Sequence, residues 1–169
     1  MPDGEFPVRE VRMNNGVVFA FPRSSETALS YIKTHADEWF IDIDRISLMG
    51  RSAGAHLASL YAYRSTTVPI RAVVNYYGPN DLLRGYYDPA FPDPLNVRAI
   101  LRAFLGGTPD KLRELYLQAS PINYVKPKLP PSLLVYAGRD HIVGAKFGRS
   151  LRTITSHWKP CGNARNSLG

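Results

Sequence analysis

A single cysteine, Cys161, occurs among the 169 residues. A lone cysteine closes no internal disulfide and builds no thiolate metal cluster, and a reducing, cytoplasmic setting is the expectation that fits. No apolar run approaches the roughly 20 residues that cross a bilayer. The opening MPDGEFPVREVRMNNG also lacks the basic-then-apolar layout of a secretion signal. No membrane partner is therefore expected. Acidic side chains stop at Asp140, while Lys146, Arg149, Arg152, Lys159 and Arg165 follow it. Those five account for most of the net charge of +7. The positive excess is thus a solvated tail, without the RNA-binding aromatic signature, zinc-finger spacing or dense Lys/Arg run of a nucleic-acid-binding surface. Phosphate loops, dinucleotide fingerprints and metal-ligand clusters are missing too, so no cofactor, no metal and no nucleic acid are expected.

What remains is an ordinary globular composition, 44% hydrophobic and 21% charged. A chain of this length makes one domain, here taken as residues 1–169, and can bury a real core. Internal repeats and low-complexity segments are absent.

The most informative stretch is ISLMGRSAGAHLASLYAYR, residues 46–64. Ile46-Ser47-Leu48-Met49 reads as a strand and meets Gly50-Arg51-Ser52-Ala53-Gly54. A helix follows at once, with Ala53, Leu57, Leu60 and Tyr61 at helical spacing and Ala58 and Ala62 on the same side. This is strand, sharp turn, helix, with a serine at the apex. A serine hydroxyl is a poor nucleophile unless a base takes its proton and the backbone holds it out in the open. Glycines two residues either side are expected to remove side chains that would collide with the neighbouring strand and helix. A chance GxSxG occurs in about one chain of this length in twenty, and the strand and helix around this one cut that rate sharply.

Along the rest of the chain, Val17–Phe21 reads as a short strand ended by Pro22. Ser24 or Ser25 then caps a helix with Glu26 in its first turn and Ala28, Leu29, Ile32 and Trp39 facing inward. Asp42 and Asp44 make a turn before the elbow strand. Residues 70–78 form a second strand closed by Gly78-Pro79, and residues 80–94 form a loop. Residues 95–105 and 110–118 read as helices around Gly106-Gly107, with Thr108 or Asp110 capping the second. Ser120-Pro121 and residues 127–131 are linker. Ser132–Gly138 form a third strand, followed by Arg139-Asp140-His141 and a helix over about 144–155. Alternating strands and helices imply an α/β fold with a mostly parallel sheet, whose active site gathers at the carboxyl ends of the strands. Ser52 lies past one strand end and Asp140 past another, with Tyr77, Gly78 and Asp81 past the strand between. The hydrolase chain order is Ser, then Asp or Glu, then His.

The helix ETALSYIKTHADEWF, the turn IDIDRI, the elbow GRSAGAHLA, the strand end NYYGPNDL and the segments SPINYV and LLVYAGRDHIV together resemble an α/β-hydrolase of the fold-3 group. That group holds the hormone-sensitive-lipase-like and BD-FAE-like carboxylesterases. The resemblance covers residues 25–149. It implies an α/β-hydrolase core with helices flanking a mostly parallel sheet, and a serine hydrolase acting on small-molecule carboxylic esters without a cofactor. It implies Ser52 as nucleophile, Asp140 as triad acid, and the backbone N–H of Ala53 as an oxyanion donor. The region from Asn80 through the following helices occupies the place of the fold's cap.

Two parts of the family pattern do not match. Nothing in residues 1–45 resembles the HGGG-like oxyanion loop. The text after about Ser150, LRTITSHWKPCGNARNSLG, resembles neither the family's last strand nor its histidine phrase. A partial core is therefore expected, without the early strands and the last one, such as a frameshift or a gene fragment would leave. Among the histidines, His35 reads as a surface residue and His56 as a local packing or capping residue. His141 points away from Asp140 and is a candidate for lining the site. His157, seventeen residues after Asp140, is the stand-in for the base. Arg51 and Tyr77 are candidates for substrate contact. Tyr76, Tyr86, Tyr87 and Phe91, with Tyr77, are candidates for an apolar wall, and Asp81 reads as a turn residue. The alternatives are a serine peptidase of the same fold, or a non-catalytic remnant that binds small ligands or partners or does not fold alone; open sheet edges would favour self-association.

Overall fold

Leu48, Val73 and Ser132 stand side by side on three strands that all run the same way. The computed structural model describes residues 17–64, 68–89 and 91–136. The expected helix over 144–155, and with it Asp140, His141 and His157, lies outside those residues.

Among the described residues the strands are β1 (Ser47–Arg51), β2 (Ala72–Tyr76) and β3 (Ser132–Val135), in the order β1-β2-β3. Parallel neighbours need a long crossover, usually helical. Helix α2 (Ala53–Arg64) makes the first one. One sheet face meets it: Val73 and Leu134 pack against Ala58, Ala62 and Tyr63. Val73 is 1% exposed, and burying a side chain of that size stabilises the fold by about 1.5–3 kcal/mol. The other face carries the row Met49, Val74 and Leu133. There Met49 is 73% exposed.

The one-sided stripe expected for α2 is not its arrangement. Ala55, His56 and the run Ala58–Tyr63 are all buried, while Ala53 is exposed. A helix enclosed on most sides has no need of a single apolar stripe. Sheet, α1 and cap helices each cover part of it.

Helix α1 spans Val17–Thr34. The expected strand over residues 17–21 is therefore helical. An apolar run becomes a strand only by pairing; this one pairs with none of the described strands, and its backbone bonds are made within α1 instead. Leu29 is buried against Tyr61 and Val68. Ala28 faces solvent instead of the core. So does Trp39, because the helix stops at Thr34 and Trp39 stacks on His35 with ring centroids 5.1 Å apart.

Between β2 and β3 three helices form a cluster of their own: α3 (Leu82–Tyr87), α4 (Val97–Leu105) and α5 (Pro109–Gln118). Leu82, Leu101, Leu105, Tyr116 and Ala119 are its buried centre. Helix α3 lies inside the stretch expected to be loop. The Asp81 carboxylate accepts the Arg84 N–H at 2.9 Å and starts it. Helix α4 starts where Asp93 accepts the Val97 N–H at 2.9 Å and Asn96 accepts the Ala99 N–H at 3.2 Å. It ends at Gly106, whose φ of 83° suits a residue without Cβ. Thr108 precedes α5 without a side-chain capping bond, and Pro109 fills the first helical position.

Candidate active site

The turn between β1 and α2 is one residue, Ser52, with φ of 52°. A left-handed backbone costs a residue with a Cβ about 1–2 kcal/mol, so surrounding bonds must hold it. The Ser52 N–H donates to the Tyr76 carbonyl on β2 at 2.8 Å. Its own carbonyl accepts the N–H groups of Ala55 and His56, each at 3.0 Å. Strand and helix thus both clamp the apex. The side chain is exposed, and its hydroxyl makes no hydrogen bond among the described residues.

The two flanking glycines are not equivalent. A Cβ on Gly50 would sit 2.4 Å from the Gly54 carbonyl carbon and oxygen, so a side chain there is excluded. A Cβ on Gly54 would meet nothing within 4 Å among the described residues. The expected steric need holds at Gly50 only. Gly54 lies on the open side of the first helical turn.

Ser52 and Ala53 stand at the rim of a cavity of about 280 Å³. His56 and Leu57 on α2, Pro79 and Asp81 after β2, Leu82 and Gly85 on α3, and Leu95, Val97, Ile100, Leu101 and Phe104 on or before α4 complete its lining. The helices after Asn80 therefore wall the cavity, where the resemblance places the cap. Its apolar wall differs from the expected one. Tyr76, Tyr77, Tyr86, Tyr87 and Phe91 do not line it. Tyr86 packs edge-on against Tyr116, the Tyr87 hydroxyl donates to Asp110 at 2.8 Å, and Phe91 is 94% exposed. The residues that do line it were present as a signal. Val97, Ile100, Leu101 and Phe104 follow the i, i+3, i+4, i+7 spacing of one helix face. Asp81 both caps α3 and faces the cavity.

His56 is buried, and its Nε2 lies 2.7 Å from the carbonyl oxygen of Ala119 at the end of α5. A carbonyl only accepts, so Nε2 carries the hydrogen. Phe104 meets the ring edge-on with centroids 6.2 Å apart. Burial pushes the imidazole below its ordinary range, and the bond to Ala119 offsets part of that shift. The local packing role expected for His56 is thus a tie between elbow helix and cap.

Because the strands are parallel, Ser52, Tyr77 and Tyr136 follow the same edge of the sheet. Arg51 and Tyr77 flank the elbow at that edge, outside the cavity lining. Asp140, four residues beyond Tyr136, and with it His141 and His157 lie outside the described residues. Among the described residues no group of three or more His, Cys, Asp or Glu side chains is placed to hold a metal ion. No described helix is long and apolar enough to cross a membrane.

A family model named BD-FAE matches residues 20–154. The chain belongs to the BD-FAE family. The match runs slightly beyond the 25–149 of the sequence resemblance. Among curated proteins this BD-FAE chain is 27% identical over 134 residues to the esterase LipQ of Mycobacterium tuberculosis, covering 73% of this chain and 31% of LipQ. The same organism's esterase LipC is 27% identical over 138 residues, covering 74% and 33%. The chain spans about a third of the length of the curated relatives it matches. Among solved structures, a truncated carbohydrate esterase from gut microbiota superposes with a TM-score of 0.66 at 20% identity, over 79% of this chain and 54% of that one. The α/β-hydrolase core with a parallel sheet is therefore the fold of this BD-FAE member.

Proposed function

We propose that this chain carries the nucleophile half of a serine hydrolase acting on carboxylic esters. One observation carries the reading: a left-handed, exposed Ser52, clamped by β2 and α2, stands at the rim of an apolar cavity. The Ser52 oxygen attacks the ester carbonyl carbon while a histidine takes its proton. The C–O bond to the alcohol then breaks, and the histidine returns the proton to the leaving oxygen. Water repeats the sequence on the acyl-enzyme and releases the acid. The Ala53 N–H, at the start of α2, serves the carbonyl oxygen as its negative charge grows. Asp140 orients the histidine, and His157 is this chain's stand-in for it. Arg51, Tyr77 and His141 are substrate-contact candidates around the elbow.

The substrate is a small-molecule ester with an apolar group in the cavity. At about 280 Å³ the space is just below the usual range of ligand sites, roughly 300 to 1,000 Å³, which suits a small substrate. Hydrolysis of aryl esters by wild type and Ser52→Ala tests the reading. A rate in the wild type that the variant lacks supports it, and equal rates remove Ser52 from the account.

A second reading, association of copies through the sheet, is favoured by the exposed row of Met49 and Leu133 and by a β1 edge unpaired among the described residues. Light scattering across a concentration series tests it. A mass fixed at one chain argues against it.

A further inference from the structure

Beneath the elbow lies a polar cluster that the reaction does not use. Asn75 and Asn80 are both 0% exposed. The Asn75 Nδ2 donates to Ser59 Oγ at 2.7 Å and to Asn80 Oδ1 at 3.3 Å, and its Oδ1 accepts the Gly78 N–H at 2.8 Å. The Asn80 Nδ2 donates to the Gly78 carbonyl at 3.1 Å and to the Tyr136 hydroxyl at 2.6 Å, and that hydroxyl donates in turn to the Gly78 carbonyl. A backbone N–H only donates and a carbonyl only accepts, so the two Gly78 bonds fix which way each amide points.

The cluster joins α2, β2, the loop after β2 and the end of β3 around the elbow. Ser59 lies on α2, less than two turns beyond Ser52. Asn75 precedes Tyr76, whose carbonyl holds the Ser52 N–H. Asn80 stands between Pro79 and Asp81, which both line the cavity. Tyr136 follows β3, four residues before Asp140. Here too the chain stores strain twice, at Ser52 with φ of 52° and at Tyr77 with φ of 56°. Such conformations persist only where the surroundings over-determine them. The space is tight as well: a Cβ on Gly78 would lie 2.7 Å from both Ala55 Cβ and the Asn75 amide. An apolar filling of the same shape would hold the fold about as well. What it would not supply is a fixed angle between strand end, helix and loop.

We propose that Asn75 and Asn80 are positioning residues for the reaction of Ser52, acting through Gly78 and the Tyr76 carbonyl to hold the nucleophile elbow in its strained form. The inference rests on the reading of Ser52 as nucleophile for its effect on rate, but its effect on geometry is independent of that reading. Two readouts keep them apart: hydrogen exchange of the Ser52 amide by NMR, and the rate of Ser52 labelling by a fluorophosphonate. The control is Tyr63→Phe, which removes the Tyr63 hydroxyl bond to Ser132 at 2.9 Å, away from the elbow on the same helix. Asn75→Leu is expected to speed Ser52 exchange at least tenfold over the control. It is also expected to slow the maximal labelling rate at least tenfold, with little change in the concentration for half-maximal rate. Tyr136→Phe, a gentler change that keeps the ring, is expected to shift exchange in the same direction by about threefold and covers the case in which Asn75→Leu does not fold. Ser52 exchange in both variants equal to that of the control overturns the inference, whatever the labelling shows. Faster exchange with no labelling even of wild type supports the positioning of the elbow and counts against the nucleophile.

Discussion

The amide of Ser52 donates to the carbonyl of Tyr76 at 2.8 Å, so the apex of the turn is pinned by the strand beside its own. With the two bonds that its carbonyl accepts from α2, that bond holds a residue with a Cβ at φ of 52°. It also makes the turn intolerant of any change that pushes β1 away from α2.

The glycines test this. Gly50→Ala places a methyl 2.4 Å from the Gly54 carbonyl group and 2.5 Å from the Ala55 nitrogen, backbone atoms that cannot rotate aside. A loss of about 1–3 kcal/mol is expected, typical of overpacking, together with loss of any Ser52 reactivity. Gly54→Ala meets nothing among the described residues. It replaces a helical glycine, so a gain of up to about 1 kcal/mol is expected. Denaturant melts of the two variants give the comparison. Equal destabilisation by both would show that the clamp is misdescribed.

His56 predicts a pH dependence. Burial lowers its pKa below the ordinary 6.5, so the folded chain takes up this proton less readily than the unfolded chain. Below about 6.5 the unfolded state therefore binds more protons, and stability falls as the pH drops toward the folded pKa; above 6.5 neither state is protonated and the effect vanishes. Melting temperature should decline from pH 7 to pH 5 more steeply in wild type than in His56→Leu. The variant should also be weaker at pH 7.5 by about 1–3 kcal/mol, since it leaves the buried Ala119 carbonyl unpaired. Parallel melting curves across that range would contradict the assignment.

The cavity predicts a dependence on acyl size. Ile100 lines it yet is 50% exposed, so Ile100→Trp should fill space at little cost in stability. The expected result is a loss of at least about tenfold in kcat/KM for a hexanoyl aryl ester relative to an acetyl one, in line with the discrimination available in an apolar site. Steady-state assays with the two esters measure it. An unchanged ratio would show that the acyl group lies elsewhere.

Ser52 with its strand and helix was legible because a one-residue turn needs a rare pattern, and Gly50 supplies the part that sterics demand. The parallel order of the strands was legible from their alternation with helices. Val17–Phe21 reads as a strand but is helical, because periodicity describes side chains and not the partner a strand requires. Helix α3 was hidden among Tyr, Asp and Pro, since six residues started by Asp81 are too few for a helical period. The aromatic wall follows from residue type alone; the cavity is lined instead by the Val97–Phe104 face of α4, whose helical spacing is in the sequence but whose place against the elbow is a tertiary contact. Asn75 and Asn80 read as strand and turn residues. Their joint burial emerges only when α2, β2 and β3 are brought together.

The most direct test of the account is the chemistry of Ser52 itself. Incubation with a fluorophosphonate followed by peptide mass spectrometry should find one adduct, on the peptide that contains Ser52, absent from Ser52→Ala and from heat-unfolded protein. A folded chain that takes no label, or one labelled at another residue with Ser52 untouched, would contradict the claim that this elbow presents an activated nucleophile.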